Sequence, residues 1–171
     1  MNLSNLKSYL TFRNILLSLA AIFIIFAIWF YFTLPDVSYL KNENPKSTAL
    51  MDLRKEQASN SNKKFRVRQN WVRFKEIPEM LKKSIRITED SGFYKHGGID
   101  LVEFWESVKK NIEEGEFARG GSTITQQLAK NLYLSTEKSL FRKFRELFIT
   151  YSLEGELTKN RIYHIYLCES Y

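Results

Sequence analysis

Two adjacent acids, Glu89 and Asp90, open the stretch best equipped for chemistry, and Phe93, His96 and Gly97-Gly98 follow at short intervals. A carboxylate can take a proton from an attacking hydroxyl, and Gly92, Gly97 and Gly98 permit tight turns close to a ligand. A solvated acidic helix end accounts for an isolated Glu-Asp pair equally well. His96 suits proton transfer or, more simply, a turn held by its ring nitrogens.

A second cluster runs Gly120-Gly121-Ser122-Thr123-Ile124-Thr125-Gln126-Gln127-Leu128-Ala129-Lys130-Asn131. A glycine pair that opens a helix presents backbone N–H groups and the positive end of the helix dipole, which together attract anions. Thr123 and Gln126 also match a capping box, and an ordinary capped helix needs no ligand. Further on, Arg142 and Lys143 precede Glu146 at helical spacing. Taken alone, Arg142 and Glu146 would be a surface ion pair worth about 0.3 kcal/mol. Arg119, before the glycine pair, adds positive charge nearby.

Helices must position these groups. Pro78 stands where a proline opens a helix, and Met80, Leu81, Ser84, Ile85 and Thr88 repeat at helical spacing, so Glu89 falls at that helix's end. Leu101, Phe104, Trp105, Val108 and Ile112 predict a second amphipathic helix that Gly115 would stop. A third begins at Thr123 with Ile124, Leu128 and Leu132 inward, and a fourth carries Leu140, Phe141, Phe144, Leu147, Phe148 and Tyr151. Thr158 caps a fifth with Ile162, Ile165 and Tyr166 inward. The expected class is mainly α.

Before Trp71, Val72 and Phe74, the residues Phe65-Arg66-Val67-Arg68 predict a short strand or extended lead into this domain, placed at 65–171. Residues 33–64, rich in Lys, Asn and Ser and interrupted by Pro45, read as a polar tether with a short helix near Thr48 to Gln57. Ile15 to Phe32 is an uncharged run of 18 residues, roughly 27 Å as a helix and close to a bilayer core. It is too long, and its bulky Trp29-Phe30-Tyr31-Phe32 end too large, for the apolar core and cleavage site of a signal peptide. Residues 15–32 are therefore expected to anchor the chain in a membrane. Lys7 and Arg13 precede the run and the first basic residue after it is Lys41, so the positive-inside rule makes 1–14 a cytoplasmic tail and places the rest outside.

A net charge of +7 over 171 residues favours an anionic partner, whether nucleic acid, phospholipid or phosphorylated substrate. The scattered basic residues and the membrane anchor argue against nucleic acid. With one cysteine, Cys168, and two histidines, His96 and His164, neither an internal disulfide nor a cysteine- or histidine-rich metal site is expected.

Read as E-D-x-x-F-x-x-H-G-G followed by G-G-S-T-x-T-Q-Q-L-x-K-N, the two clusters resemble the peptidoglycan glycosyltransferases of glycosyltransferase family 51. Arg142-Lys143-x-x-Glu146 is similar to the family's R-K-x-x-E element, and Asn44-Pro45-Lys46 with Met51 resembles the monofunctional, biosynthetic peptidoglycan transglycosylase branch. The resemblance implies a lysozyme-like helical glycosyltransferase domain that polymerises lipid II and releases undecaprenyl diphosphate. It implies Glu89 as general base and Glu146 as second essential acid. It also implies substrate contacts from Asp90, Phe93, His96, Gly121, Ser122, Thr123, Gln126, Gln127, Lys130, Asn131, Arg142 and Lys143. Lys130 would touch the diphosphate. Of the candidates for a hydrophobic lip that dips into the bilayer, Phe104, Trp105 and Phe117, the Trp105 side chain is expected in the core.

The resemblance has gaps. Where the family reads I-L-E-x-Y-L-N, this chain has Ile162-Tyr163-His164-Ile165-Tyr166-Leu167-Cys168, and a fifth motif is missing before Tyr171. The expectation is an incomplete domain of weak or no activity, with Leu147, Phe148, Ile162 and Ile165 exposed. No second catalytic domain follows in these residues, so a penicillin-binding transpeptidase is not expected. Partners would be lipid II, the growing glycan strand, membrane lipids and cell-wall synthesis or division proteins, in a bacterial inner membrane with the domain on the periplasmic side. No cofactor is required by these residues; a divalent cation such as Mg²⁺ could assist at the diphosphate, although no dedicated carboxylate cage is legible and no metal ligand is assigned. Two other readings fit some of the residues: a non-catalytic protein that binds lipid II or a division complex, and a lysozyme-like glycan hydrolase that would not need Lys130, Arg142 or Lys143.

Overall fold

The computed structural model describes residues 3–62, 66, 69–114, 120–137 and 139–170, with 3–10 and 170 described by backbone alone. Among the described residues the regular structure is entirely helical. The chain divides into two compact units, 1–35 and 36–171.

The first unit is one helix, α1 (Leu3–Phe32). It has no internal Gly or Pro, and it stops ahead of Pro35, whose ring removes an N–H and steers Leu34 out of helical geometry. Thr33 closes the end by donating its hydroxyl to the Phe30 carbonyl at 2.7 Å. Thr11–Phe32 is long and apolar enough to cross a membrane and is almost wholly exposed. An all-round apolar helix of this length suits membrane anchoring, because lipid, unlike water, is a good solvent for it.

The second unit contains α2 (Ala49–Asn60), α3 (Glu79–Glu89), α4 (Leu101–Glu114), α5 (Ile124–Tyr133), α6 (Leu140–Glu156) and α7 (Lys159–Ser170). Helix α5 is central and packs on α2, α6 and α7. Its expected stripe of Ile124, Leu128 and Leu132 is buried, against a core that includes Ile149 and Leu153 of α6 and Ile162 and Ile165 of α7. The expected exposure of Ile162 and Ile165 is thus corrected, while Phe148 is exposed. Tyr163 adds a buried ring beside Phe93, with centroids 5.5 Å apart, and its hydroxyl donates to the Lys82 carbonyl.

Residues 36–60 do not form a loose tether. Val37, Leu40 and Thr48 are buried, the last as the N-cap of α2, accepting from the Met51 N–H at 3.1 Å. Arg161 of α7 fixes this segment by donating to the carbonyls of Leu40 at 2.7 Å and Glu43 at 2.6 Å and to Asn44 Oδ1 at 2.9 Å. Burial pulls the Arg161 guanidinium below its ordinary range. These bonds cross more than a hundred residues of sequence, which is why the polar composition concealed them. Arg161→Ala should cost about 2 kcal/mol, the scale of charge-assisted bonds to carbonyls left behind. The expected result is a lower melting temperature and faster tryptic cleavage at Lys41 and Lys46; unchanged cleavage would show that the guanidinium does not hold the segment.

Two helices turn apolar side chains outward, and one of these, Trp105, was expected in the core. In α4, Trp105 is 66% exposed and Ile112 76%, so Trp105 is not a core residue, and the buried side chain is Ser107. The reason is close approach: a Cβ on Gly121 would lie 3.3 Å from the Phe104 Cα and 3.5 Å from the Ser107 Cβ, so the small face of α4 meets the glycine turn. In α6 the aromatic stripe is outward, with Leu140 at 92% exposure, and Glu146, Ile149, Thr150 and Leu153 are buried. The Phe65–Arg68 lead, apart from Arg66, and Gly115, Phe117 and Arg119 lie outside the described residues.

Candidate active site

A cavity of about 300 Å³ lies where the end of α3, the start of α4 and the Gly120–Thr123 turn meet, and Glu89, Asp100, Glu103, Ser122 and Gln127 contribute to its lining. Glu89 is the last residue of α3. Its Oε2 accepts from Gln127 Nε2 at 2.9 Å, and the same amide nitrogen approaches the Ser122 carbonyl at 3.4 Å. One carboxylate from the first sequence cluster therefore meets one amide from the second.

Asp90, next along the chain, is bound into the fold. It is buried and accepts from the Ile124 N–H at 3.1 Å. His96 Nδ1 accepts the Gly98 N–H at 3.2 Å, which leaves the proton on Nε2 to be donated to Asp90 at 3.0 Å. Thr123 donates its hydroxyl to the Gly98 carbonyl at 2.6 Å, and Thr123 and Gln126 complete the reciprocal cap of α5. Gly98 has a positive φ of 94°, and a Cβ there would meet Thr150 Cγ2 at 2.7 Å. Only glycine fits that corner without a shift.

These bonds bear on the anion site expected at the Gly-Gly helix start, which lines the cavity. The N–H groups of Thr123, Ile124 and Gln126 are taken by Gln126, Asp90 and Thr123, so the protein supplies its own anion, Asp90, to the end of α5. Phe93 is likewise a core side chain, fully buried with Lys159 Nζ 4.4 Å from its ring centroid. Phe93, His96 and Gln126 give their side chains to the frame around the cavity, while Asp90 and Thr123 belong both to that frame and to the cavity lining.

The cations come from α6. Ser139 caps this helix by accepting from the Arg142 N–H at 3.1 Å. Glu146 receives Arg142 at 2.8 Å and Lys143 at 2.5 Å, and its side chain is 3% exposed. Glu146 lies outside the cavity lining. It reaches the cavity through one intermediary: Lys143 Nζ also donates to Ser122 Oγ at 3.3 Å. Ser122 therefore joins the two halves, with its carbonyl turned to Gln127, which holds Glu89, and its hydroxyl to Lys143, which Glu146 holds. Lys130 is half-buried and outside the lining, and Asn131 donates to Glu169 Oε2 of α7 at 3.2 Å.

Asp100 and Glu103 were not anticipated. Asp100 accepts the Glu103 N–H at 2.9 Å, so in sequence the pair reads as an acid-rich helix start. The only available signal was their distance of a few residues from Gly98. Among the described residues no three His, Cys, Asp or Glu side chains converge as a metal cage. A second cavity of about 660 Å³ is lined mainly by Met51, Val72, Ile77, Leu81, Ile85 and Leu167 and holds none of the expected site residues. At its edge burial raises the Cys168 thiol above its ordinary range.

A family profile described as Transglycosylase matches residues 55–171. Among curated relatives, a biosynthetic peptidoglycan transglycosylase of Nitrosospira multiformis is 38% identical over 156 residues, covering 91% of this chain and 66% of the relative. Proteins of the same name from Herminiimonas arsenicoxydans and a Janthinobacterium species are 40% and 42% identical, covering 88% and 80% of this chain and 65% and 59% of those relatives. The chain thus spans just under two thirds of the relatives' length. The profile takes in both polar clusters, the Arg142-Lys143-x-x-Glu146 element and every helix from α3 to α7, and the chain belongs to the transglycosylase family.

Proposed function

We propose that the protein is a membrane-anchored peptidoglycan glycosyltransferase that joins lipid II units into glycan strands and releases undecaprenyl diphosphate. The carrying observation is the Glu89 carboxylate, held by Gln127 at the wall of a cavity whose Ser122 also binds Lys143. Glu89 takes the proton of the acceptor sugar's 4-hydroxyl as its oxygen attacks the donor's anomeric carbon. The new glycosidic bond forms with inversion as the bond to the diphosphate breaks. Lys143 neutralises charge on the departing diphosphate, with Lys130 and Arg142 adding positive potential nearby. Glu146 holds Lys143 and Arg142 in place.

The charge distribution around α1 supports a cytoplasmic N-terminus and a domain on the outer, periplasmic face of the inner membrane, next to lipid-linked substrate. The test is polymerisation of labelled lipid II by the purified full chain in detergent, read as high-molecular-weight glycan. Polymer formed faster than by a Glu89→Gln control supports the reading, and the sequence expectation of weak turnover sets only the scale. Equal rates from two folded proteins would sink it. Lipid II retained without turnover, unaffected by Glu89→Gln, would favour a binding protein. Release of soluble fragments from finished glycan would favour a hydrolase.

A further inference from the structure

Tyr166 of α7 belongs to neither polar cluster, yet its hydroxyl reaches the candidate base through a single side chain. It is buried and donates to Gln127 Oε1 at 3.1 Å, while Gln127 Nε2 donates to Glu89 Oε2 at 2.9 Å. An amide side chain has two orientations of similar shape and opposite polarity. The inverted one would turn Oε1 toward the Glu89 carboxylate and the Ser122 carbonyl, placing three acceptors together with no proton among them. The Glu89 and Ser122 acceptors set the productive orientation, and donation from Tyr166 to Oε1 holds the amide in place from its other side. The phenol is itself held, because its ring stacks on Tyr163 with centroids 6.5 Å apart and Tyr163 is anchored to the Lys82 carbonyl.

We propose that Tyr166 is a positioning residue for Glu89: its hydroxyl fixes the Gln127 amide, and the amide fixes which way the carboxylate faces. This rests on the reading of Glu89 as general base. Tyr166→Phe keeps the ring and removes only the hydroxyl. With the full chain and lipid II, the expected result is a fall in kcat of about tenfold with KM changed by less than about twofold. Added to Gln127→Ala, the same substitution should cost nothing more, since no amide remains to be oriented. A further loss of similar size in the Gln127→Ala background would show that the hydroxyl acts independently of the amide and overturn the proposal.

The two readings fail separately. Turnover retained by Glu89→Gln defeats the base assignment, and with it the role of Tyr166. An inactive Glu89→Gln alongside Tyr166→Phe at the parent kcat defeats Tyr166 alone. An arm independent of turnover is the side-chain amide signal of ¹⁵N-labelled Gln127. Tyr166→Phe and Glu89→Gln are each expected to shift it, and an amide pair unchanged by Tyr166→Phe overturns the proposal even where no polymer is made.

Discussion

Glu89→Gln should lower lipid II polymerisation by about a thousandfold, within the range lost when a general base is removed, and leave the melting temperature nearly unchanged. The substitution is nearly isosteric. Its new amide can still present an oxygen to Gln127 Nε2, so the 2.9 Å contact with α5 survives while the proton acceptor does not. Because Glu89 lines the cavity and lies outside the hydrophobic core, little packing depends on it. Circular dichroism on heating and incorporation of labelled lipid II check the two halves of this expectation. A variant keeping more than about a tenth of the parent rate would remove Glu89 from the chemistry.

Glu146→Ala should behave differently, reducing both stability and activity. Here the acid is buried between Arg142 and Lys143, and Arg142 Nε is itself buried without a partner. Removing the acid should cost about 2 kcal/mol, less than for a fully buried pair, because Arg142 loses its compensation while the 41% exposed Lys143 can turn to solvent. Lys143 would also lose its 2.5 Å tether and hold its place beside Ser122 less firmly. Urea unfolding should show the stability loss. The kinetic loss should be partial and fall on kcat as well as KM for lipid II, as expected when the cation that meets the departing diphosphate has lost its position. Unaltered stability with abolished kcat would instead make Glu146 a participant in the reaction.

The α5 region was the most legible from residue types alone. Its capping box and inward stripe are local patterns, and local patterns survive folding. The same periodicity in α4 marked an apolar stripe correctly as a stripe but not as outward, because direction depends on a partner surface. Here that partner is the Gly121 turn, which accepts Ser107 and leaves Trp105 outside. Asp90 shows the matching limit for the site. Sequence identifies a carboxylate next to Glu89, yet only the placement of Ile124 N–H and His96 beside it makes Asp90 the buried, hydrogen-bonded acid of the cavity wall and leaves Glu89 the more open one. The packed segment 36–48 was hidden for a related reason, since its ligand Arg161 lies on the last described helix.

The internal carboxylate at the start of α5 has a consequence for turnover in a polymerase. A rigid cradle of amides grips a leaving group as tightly after bond cleavage as before, and the enzyme must then spend time letting it go. With Asp90 already on the Ile124 N–H of that helix start, a diphosphate would lean more on ammonium groups on flexible stems, among them Lys143, which can swing back to Glu146 once the negative charge departs. Such a grip loosens by itself, which suits a catalyst that must eject a lipid carrier at every cycle.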